Sequence, residues 1–345
     1  MKYRAYKYRI FPNEEQKVLI AKHLGSCRFI YNYALAKKVK AYQFDGTNLS
    51  RFDIQADLPN MKKSDEYCWL KEVNSLSLQA SLANLDSAYT KFFREHKGFP
   101  NFKSKKDSKQ SFSIPQNTKV DFENGRVFIP KFKIGIKAKL HRTFEGIVKS
   151  STITRTSTGK YFISILVEVN ESDVPMKPIC ESKAVGIDLG IKTFAVLSDG
   201  TEIPNPKHLK QSLDKVKKLQ RSLSHKNKGS KNRDKARRKL ALAHEQVTNR
   251  RNDFLHKVTS YLVNNYDTIC LEDLNVKGMI KNHKLSKHIA DASWGNFVTL
   301  LQYKCDWYGK QLIKVNRFFP SSKCCSECGW INQNLKLSDR EWTCN

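Results

Sequence analysis

The chain has 345 residues, with 62 lysines and arginines against 33 acids and a formal net charge of +29. At roughly 150 residues per domain, this length predicts two or three domains, and a hydrophobic content of 39% argues against wholesale disorder. No apolar run approaches the ~20 residues that span a bilayer, and no secretion signal follows the first residues. We therefore expect no membrane partner, a cytoplasmic location, and cysteines that are thiols or metal ligands.

The positive charge points to a polyanionic partner. A compact chain with this charge repels itself unless a polyanion neutralises it. Nucleic acid is the expected polyanion, and a basic protein of ribosomal type would also bind nucleic acid. An anionic membrane is the weaker alternative, because the sequence has no basic amphipathic anchor and no lipidation motif. Charge alone does not say what is done to the nucleic acid.

The first 60 residues of the chain predict a strand and two helices. Residues 3–11 alternate aromatic or apolar residues with basic ones, which predicts a strand with one wet, cationic face. Asn13 is a candidate N-cap for a first helix. Gly25 is expected to interrupt it, and a second helix is expected at about 26–43. The stretch 46–60 is predicted to be rich in loops.

A further helix follows from apolar residues spaced by four and three positions. Its stripe is predicted to be core, and it is formed by Leu78, Leu82, Leu85, Tyr89 and Phe92. Gln79 lies beside the stripe and is a candidate for reading adenine in a DNA major groove, although a solvent-facing glutamine is at least as plausible. Residues 13–97 are therefore predicted to form a small helical domain inserted after the first strand.

Beyond residue 98 the pattern becomes β. The candidate strands are 112–114, 119–122, 127–129, 146–155 and 161–169, separated by turn signals. Strand 3–11 is expected to join them in a compact β-barrel. Residues 175–182 are predicted to be a linker.

A second region is predicted to begin at Lys183. Its first elements are a strand at 184–190, a hairpin over 194–204 and helices over 207–257. They are followed by a strand at 268–274, a helix at 289–309 and a strand at 312–315. Segment 207–257 holds 17 lysines and arginines against four acids, a net charge of +13, and Gly229 is expected to break it into two helices. A charge run is usually a solvated face, but this one is so one-sided that it favours a face that tracks phosphates. The candidate nucleic-acid contacts are Lys103, Arg233, Lys235, Arg237, Arg238, Arg250 and Arg251.

Two acids are candidate metal ligands. Asp188 and Glu272 each end an apolar strand, where a charge is costly unless it is solvated or binds something. The element order is that of a ribonuclease-H-like domain, in which acids at the ends of neighbouring strands hold divalent metals that hydrolyse phosphodiesters. Oxygen ligands favour Mg²⁺ or Mn²⁺. Asp273 should point to the other side of its strand and is the weaker candidate.

Four of the nine cysteines cluster near the end of the sequence, at Cys324, Cys325, Cys328 and Cys344. The Cys325–Cys328 spacing is that of a zinc knuckle, and Cys344 begins what would be a second pair. The fourth cysteine of a complete ribbon would fall at position 347, so the sequence predicts weak or partial Zn²⁺ binding. Cys324 could complete the site, although adjacent cysteines rarely bind one tetrahedral ion. The five scattered cysteines are expected to be small buried hydrophobes.

Taken together, these residues resemble the TnpB family, the transposon-encoded RNA-guided DNA nucleases related to type V CRISPR effectors. The resemblance extends over essentially the whole chain. The motifs that carry it are Tyr6–Pro12, Gly98–Lys103, Gly186–Lys192, Arg251–Lys257, Glu272–Leu274, Trp294–Phe297, Phe319–Lys323 and Arg340–Cys344.

The resemblance implies an α+β multidomain fold: a β-barrel wedge domain at 1–12 and 98–180, a helical recognition domain at 13–97, a RuvC-like α/β nuclease domain at 183–319, and a partial zinc-ribbon insertion at 320–345. It implies a guide RNA, a target double-stranded DNA with a short flanking motif, and target reading by base pairing. It implies that Asp188 and Glu272 are catalytic RuvC carboxylates and that Cys325, Cys328 and Cys344 bind zinc.

The family's third catalytic carboxylate lies in an Asp-Arg-Asp-x-Asn-Ala-Ala segment after the second cysteine pair, which this sequence does not reach. Asp339 precedes that pair and is expected to face solvent. Two functions therefore stay open: an RNA-guided endonuclease of which this is a piece, or a nuclease-dead RNA-guided repressor that binds DNA without cutting it. A cut-and-paste transposase is the weaker third reading. The sequence predicts that this chain with guide RNA binds its target but cuts it poorly.

Overall fold

The computed structural model describes residues 2–107, 109–169, 175–283, 285–316, 319–320, 323–325, 327–335, 339 and 341–344. The chain divides into two compact units, Met1–Ser172 and Asp173–Asn345. Within the described residues, no helix is long and apolar enough to cross a membrane.

Unit 1 contains a seven-stranded antiparallel sheet. Its strands are β1 (Lys2–Phe11), β2 (Lys109–Ile114), β3 (Lys119–Asp121), β4 (Arg126–Phe128), β5 (Ile136–Lys139), β6 (Ile147–Thr156) and β7 (Tyr161–Val169). Their order across the sheet is β2-β6-β7-β1-β5-β4-β3, so the N-terminal strand lies in the middle. The strands predicted from alternation are present, whereas β5 was not predicted. Among the described ladders β2 and β3 are the edges, so closure into a barrel stays a prediction.

The first helix is longer than predicted. Helix α1 runs unbroken over Glu14–Asp45, so the predicted interruption at Gly25 is wrong. A glycine inside a helix costs only about 1 kcal/mol, and buried residues on both sides, including Leu24 and Cys27, hold this segment against the core. The predicted cap is confirmed: Asn13 accepts a hydrogen bond from the Gln16 amide, and the Gln16 side chain accepts one from the Asn13 amide.

The stretch 46–60 contains two short helices, so its prediction as loop is wrong. Helices α2 (Arg51–Gln55) and α3 (Asp57–Lys63) follow each other after residue 50. Pro59 fits in the first turn of α3, where a backbone N–H has no partner inside the helix. Burial of Ile54, Leu58 and Met61 supplies the apolar contacts that such short helices need.

Helix α4 (Ser75–Glu95) carries the predicted apolar stripe, and Leu78, Leu82 and Leu85 are buried. These side chains belong to one hydrophobic core that also includes α1 and the inner face of the sheet. The helical segment and the sheet therefore share a core. The predicted division of this unit into a barrel and an inserted helical domain stays a prediction.

Unit 2 is built on a five-stranded mixed sheet. Its strands are β8 (Ala184–Leu189), β9 (Thr193–Leu197), β10 (Glu202–Pro204), β11 (Thr268–Glu272) and β12 (Gln311–Val315), and its helices are α5 (His208–Ser224), α6 (Lys231–Asn265), α7 (Val276–Met279), α8 (Ser286–Ala292) and α9 (Trp294–Tyr308). The order is β10-β9-β8-β11-β12, with β8, β11 and β12 parallel. The predicted break at Gly229 is confirmed, because this residue adopts a φ of +87° between α5 and α6.

Candidate functional site

The two predicted acids lie on neighbouring parallel strands. Strands β8 and β11 pair in parallel, and their last registered pair is Ile187 with Leu271. Asp188 and Glu272 each come one residue later, so both stand at the same edge of the sheet. Neighbouring strands are about 4.8 Å apart, which places the two backbones within reach of one small ion.

The two acids also share one face of the sheet. Val185 and Ile187 are buried in the core of unit 2, together with Ile269 and Leu271 on the paired strand. Side chains alternate along a strand, so Asp188 and Glu272 project to the opposite face, on which Asp188 is exposed and Glu272 is half-buried. The core side packs against α6 and α9. Alternation thus keeps both carboxylates out of the hydrocarbon interior.

The chemistry of this pair fits a divalent cation. Carboxylate oxygens are the ligands that Mg²⁺ and Mn²⁺ prefer, and a bound cation would offset the repulsion between two neighbouring carboxylates. Within the described part of the chain, no third acid, histidine or cysteine closes a three-donor group around this pair. The described residues therefore bring two candidate ligands to this edge of the sheet.

Gly190 allows the tight turn that follows Asp188. Its amide donates a hydrogen bond to the Phe194 carbonyl (3.1 Å). A Cβ at this position would lie 2.7 Å from the carbonyl oxygen of Thr193, which is closer than real Cβ atoms approach. The glycine is thus required for the β8–β9 turn itself, and through that turn for the position of the strand end that bears Asp188.

The three cysteines predicted to bind zinc lie together. The sulfur atoms of Cys325, Cys328 and Cys344 are all within 4.8 Å of one another, and the last two are 3.4 Å apart. Sulfurs around a tetrahedral zinc with ~2.3 Å bonds are about 3.8 Å apart. Backbone N–H groups of Cys328 and Glu327 lower the pKa of Cys325 to about 7, whereas hydrogen bonding to Cys328 raises the pKa of Cys344 to about 12. The triad fits a thiolate-binding metal with three ligands.

Cys324 lies outside this group. Its thiol donates to the Gly329 carbonyl (3.5 Å), and its backbone forms a bridge with Ile331. The bridge and the hydrogen bond from the Cys325 amide to the Trp330 carbonyl (2.8 Å) form the small hairpin that turns Cys325 and Cys328 toward each other. The structure therefore gives Cys324 a different position from the triad, so it does not supply the fourth ligand in this arrangement.

The basic residues of α6 divide into two groups. Lys235, Arg238 and Arg250 are exposed, and Arg237 is exposed beside Asp234 at 3.0 Å. Arg233 instead donates to the carbonyls of Leu223 (3.1 Å) and Lys226 (2.7 Å) and so ties the end of α5 to the start of α6.

Arg251 also has a partner inside unit 2. Its guanidinium lies 3.0 Å from Asp291, whose carboxylate accepts the Leu209 amide at the start of α5. Both side chains are largely buried, with 21% and 11% of their surface exposed. Asp291 was not singled out in the sequence, since its partner lies 40 positions away. Arg233 and Arg251 are thus used inside the protein, whereas Lys235, Arg238 and Arg250 are available to phosphates.

Gln79 and Lys103 are both in unit 1. Gln79 is half-buried on α4. Lys103 is exposed as a residue, but its ammonium lies 3.8 Å from the ring centre of Tyr31, and burial of this group lowers its pKa. Its backbone amide and carbonyl are both hydrogen-bonded to the Asn32 side chain. The Gly98–Lys103 motif is therefore anchored to α1.

Comparison with known proteins gives relatives along the whole chain. A protein of Streptomyces pristinaespiralis that carries the designation of RNA-guided DNA endonuclease is 38% identical over 344 residues, which is 99% of this chain and 84% of the relative. InsQ of Escherichia coli, with the same designation, is 33% identical and matches 99% of this chain and 87% of its own length. A TnpB-like protein of Acanthamoeba polyphaga mimivirus is 23% identical over 94% of this chain and 66% of the viral protein.

This chain belongs to the TnpB family. Three family models match parts of the TnpB sequence: one described as "Probable transposase" at residues 164–283, a "Helix-turn-helix domain" at 1–47, and a "Cas12f1-like, TNB domain" at 294–345. The first match includes Asp188 and Glu272, and the last includes the cysteine triad. Residues 1–47 are β1 and the single helix α1 in the structure, so no helix-turn-helix is formed by the described residues of that segment.

The fold of this TnpB protein is also similar to a solved structure. The Cas12f1 chain in a cryo-EM complex with single guide RNA and target DNA aligns with a TM-score of 0.56 at 15% identity, over 95% of this chain and 80% of Cas12f1. At this identity the likeness concerns the fold. Ser321, Ser322 and Arg340, which belong to motifs noted in the sequence, lie outside the described residues.

Proposed function

We propose that this TnpB protein binds a guide RNA and slowly cleaves double-stranded DNA that pairs with it and carries a flanking motif. The observation that carries the proposal is the placement of Asp188 and Glu272 side by side on the open face of parallel strands, in a chain related end to end to proteins designated RNA-guided DNA endonucleases. We place this activity in a prokaryotic cytoplasm, with the nucleoid DNA as its substrate.

The two carboxylates hold the reaction centre. Asp188 and Glu272 would hold divalent ions, and the chemistry that such ions would supply is the activation of a water and the stabilisation of the leaving oxygen of the phosphodiester. Asp188 is exposed to solvent at the end of β8, whereas Glu272 is half-buried at the end of β11. Behind them, the same face of β8 carries Gly186 and Ala184, and that of β11 carries Cys270 and Thr268. No large side chain of these two strands therefore stands between a DNA backbone and the acids.

A second function is an RNA-guided DNA-binding repressor that does not cut. The observation that favours it is that the described residues bring together two carboxylates and no third. Two-metal hydrolysis clamps both the attacking and the leaving oxygen, and one ion between two acids would bind DNA phosphate without completing that arrangement.

The experiment compares Asp188→Asn with Asp273→Asn, a neighbouring acid that loses the same charge. Supercoiled plasmid with target and flanking motif is incubated with Mg²⁺ and the RNA-loaded protein. Asp188→Asn should lower the cleavage rate by ~10²–10³ or more, retain target binding, and weaken Mn²⁺ binding measured by paramagnetic resonance. Asp273→Asn should cut at close to the wild-type rate. Wild-type protein that binds the target but leaves it intact would establish the repressor.

The cysteine triad is proposed to bind zinc. Three thiolates within 4.8 Å of one another provide a partial tetrahedral site. Native mass spectrometry should detect zinc that a chelator removes, and Cys328→Ser should abolish it, whereas Cys324→Ser should leave it unchanged. Loss of zinc in Cys324→Ser would show that the fourth ligand has been misassigned.

Gln79 is proposed to help read the flanking motif. It is half-buried on α4, and a glutamine amide can bond adenine at both N6 and N7. Gln79→Ala should relax motif preference in a binding selection, while Asn84→Ala, an exposed change on the same helix, should not. An unchanged preference in Gln79→Ala would identify it as an ordinary surface residue.

A further inference from the structure

The turn between β8 and β9 follows Asp188 at the edge of the unit 2 sheet that bears the acids. Strand β8 ends at residue 189 and β9 begins at residue 193, so the turn is formed by residues 190–192. Lys192 is exposed, and among the described residues its side chain makes no ion pair and no hydrogen bond. An unpaired cation therefore stands four positions after one of the two candidate metal ligands.

The loop after β10 reaches the same edge of the sheet. Strands β8 and β10 each pair antiparallel with β9, so they run in the same direction. The last residue of β10 pairs with the first residue of β9, which puts Asn205 beside the turn. The Asn205 amide donates a hydrogen bond to the Ile191 carbonyl (2.8 Å), and its side-chain oxygen accepts one from the Lys207 amide (3.0 Å). Asn205 therefore ties this loop to the turn that carries Lys192.

The loop that Asn205 holds has an unfavourable backbone conformation. Lys207 has a φ of +47°, in the left-handed region that residues with a side chain rarely adopt. Such residues persist where the surrounding structure holds them, and they concentrate at functional sites. Asn205 accepts the Lys207 amide, and the Asp291 carboxylate accepts the Leu209 amide at 3.0 and 3.1 Å. The loop is thus held from both sides and supports the turn between β8 and β9.

Positive charge is needed where the two acids meet a DNA backbone. Asp188 and Glu272 are carboxylates and a phosphate adds a further negative charge, so they repel one another unless cations lie beside them. The residues behind the acids on the same face, among them Gly186 and Cys270, are uncharged. A lysine ammonium is a compact charge on a flexible stem and binds phosphate as a point charge. Lys192 carries such a charge on the turn next to Asp188.

We propose that Lys192 binds the DNA phosphate that lies at the Asp188–Glu272 pair, and that Asn205 is the positioning residue that holds the turn for it. The ammonium donates hydrogen bonds to non-bridging phosphate oxygens and offsets the negative charge that develops on them during cleavage. Lys192 exchanges no proton with the substrate. The inference rests on the proposed function and adds to it one phosphate-binding residue and one residue that acts through it.

The first test is Lys192→Met, which keeps the stem of the side chain and removes its charge. With RNA-loaded protein and saturating target, the cleavage rate should fall about 10–100-fold, less than the ~10²–10³ seen for oxyanion-hole donors, because Lys192 is exposed. Mn²⁺ binding, measured by paramagnetic resonance, should not weaken, since Lys192 is not a metal ligand. Lys192→Arg should retain most of the activity.

The matched control is Lys183→Met, at an exposed lysine just before the other end of β8. It loses the same charge and should cut at the wild-type rate. A Lys192→Met protein that cuts as fast as this control would overturn the inference.

The role of Asn205 is tested by a double-mutant cycle. Asn205→Ala removes both hydrogen bonds and should lower the cleavage rate about 5–20-fold in the wild-type background. In the Lys192→Met background it should lower the rate less than about twofold, because residues that act through one another do not add. Equal losses in both backgrounds would show that Asn205 supports the fold or Asp188 rather than Lys192.

Phosphate binding is also measured without cleavage, by acetylation of lysines and mass spectrometry. The probe is target DNA added to RNA-loaded protein in Ca²⁺ in place of Mg²⁺. Target should protect Lys192 at least about threefold more than Lys183, and equal protection of the two would overturn the inference. Wild-type protein that binds its target without cutting would refute the proposed endonuclease. Protection of Lys192 in that protein would still support phosphate binding at the acids, so the two failures are distinguishable.

Discussion

Positive charge is arranged differently in the two units. In unit 1, Arg9 on β1 stands directly opposite Lys139 on β5, and neither forms an ion pair with another described residue. In unit 2 the basic helix α6 uses part of its charge internally, because Arg233 binds carbonyls at the end of α5 and Arg251 binds the largely buried Asp291.

The difference shows that a count of basic residues overestimates the number of phosphate contacts. Segment 207–257 has a net charge of +13, yet two of its arginines are structural. A short strand such as β5 adds little to the net charge, but pairing places its two lysines against Arg9 and Arg126. Position in the fold, rather than charge density along the chain, decides which cations remain for a nucleic acid.

The largest effect that would sharpen this contrast is expected from Arg251→Gln. Asp291 would lose its cation while remaining largely buried, and among the described residues the Leu209 amide would be its remaining hydrogen-bond donor. Breaking a fully buried pair costs about 3–5 kcal/mol, and this partly exposed one should cost about 2–3 kcal/mol in the free energy of unfolding. Denaturant unfolding provides the measurement. Arg250→Gln, one residue earlier and exposed, should change stability by less than about 0.5 kcal/mol.

If the two variants unfold alike, the division of α6 into internal and available arginines is wrong. If Arg250→Gln instead loses RNA affinity while Arg251→Gln loses stability, the division holds. The pair is informative because both substitutions remove one charge from adjacent positions of the same helix.

Sequence alternation predicted unit 1 well because an antiparallel sheet with one wet side displays its period in every strand. The failures there were local. Gly25 was expected to break the helix, but tertiary packing around α1 outweighs the low helix propensity of glycine. Residues 51–63 form short helices that depend on the burial of Ile54 and Met61. Strand β5 was missed although its four residues alternate between buried and exposed, whereas the shorter β3 and β4 were found on either side of a turn signal.

The acids of unit 2 were found from their position at the ends of apolar strands, and the parallel pairing of β8 with β11 brings them to one edge. The sequence could not predict which charged residues pair with each other. Asp291 and Arg251 are 40 positions apart, and nothing local distinguishes Arg251 from Arg250. Long-range ion pairs are set by how α6 packs against α8, which local patterns do not encode.

Replacement of another buried cation in unit 2, Lys304, is expected to have a somewhat smaller effect on the free energy of unfolding. Lys304 is buried on α9 and donates to the His256 carbonyl (2.8 Å) and to the hydroxyls of Thr259 (2.8 Å) and Ser260 (2.7 Å). Lys304→Met keeps the stem but leaves these acceptors without their donor, and should lower the free energy of unfolding by about 1–3 kcal/mol.

Lys257→Met is the matched control, because that lysine is exposed on α6 and only forms an exposed pair with Asp253. Such pairs contribute about 0–1 kcal/mol, so the control should unfold close to the wild type. A Lys304→Met protein as stable as this control would mean that the buried ammonium does not hold α9 against α6.

The available cations of α6 predict a change in affinity rather than in stability. Lys235→Glu combined with Arg238→Glu should lower RNA affinity about tenfold and make the salt slope shallower by ~1.4–1.8, as expected for two lost phosphate contacts. The melting temperature should stay near that of the wild type, since neither side chain has a structural role comparable to that of Arg233. The charge-conserving Lys235→Arg with Arg238→Lys should retain affinity, and an equal loss in that variant would point to shape rather than charge.

The smallest expected effect concerns a buried side chain of unit 1 that is neutral rather than charged. His23 is buried against the ring of Phe112, with Nδ1 2.8 Å from the Leu19 carbonyl and Nε2 accepting the Asn74 amide. These partners place the proton on Nδ1. Burial lowers the pKa of His23 below its usual 6.5, because the charged form would lose water and Nε2 could no longer accept the amide.

The sign of the pH effect follows from this depression. Below pH 6.5 the unfolded chain takes up a proton at position 23 that the folded protein does not, so folding stability falls as the pH decreases from 6.5 toward the lower folded pKa. The slope from one such group is at most about 1.4 kcal/mol per pH unit. His23→Gln can keep one donor and one acceptor, so it should be less stable at neutral pH but flatter across this window. His225→Gln, at an exposed position, should keep the wild-type slope. Equal slopes in His23→Gln and wild type would show that another group causes the acid sensitivity of unit 1.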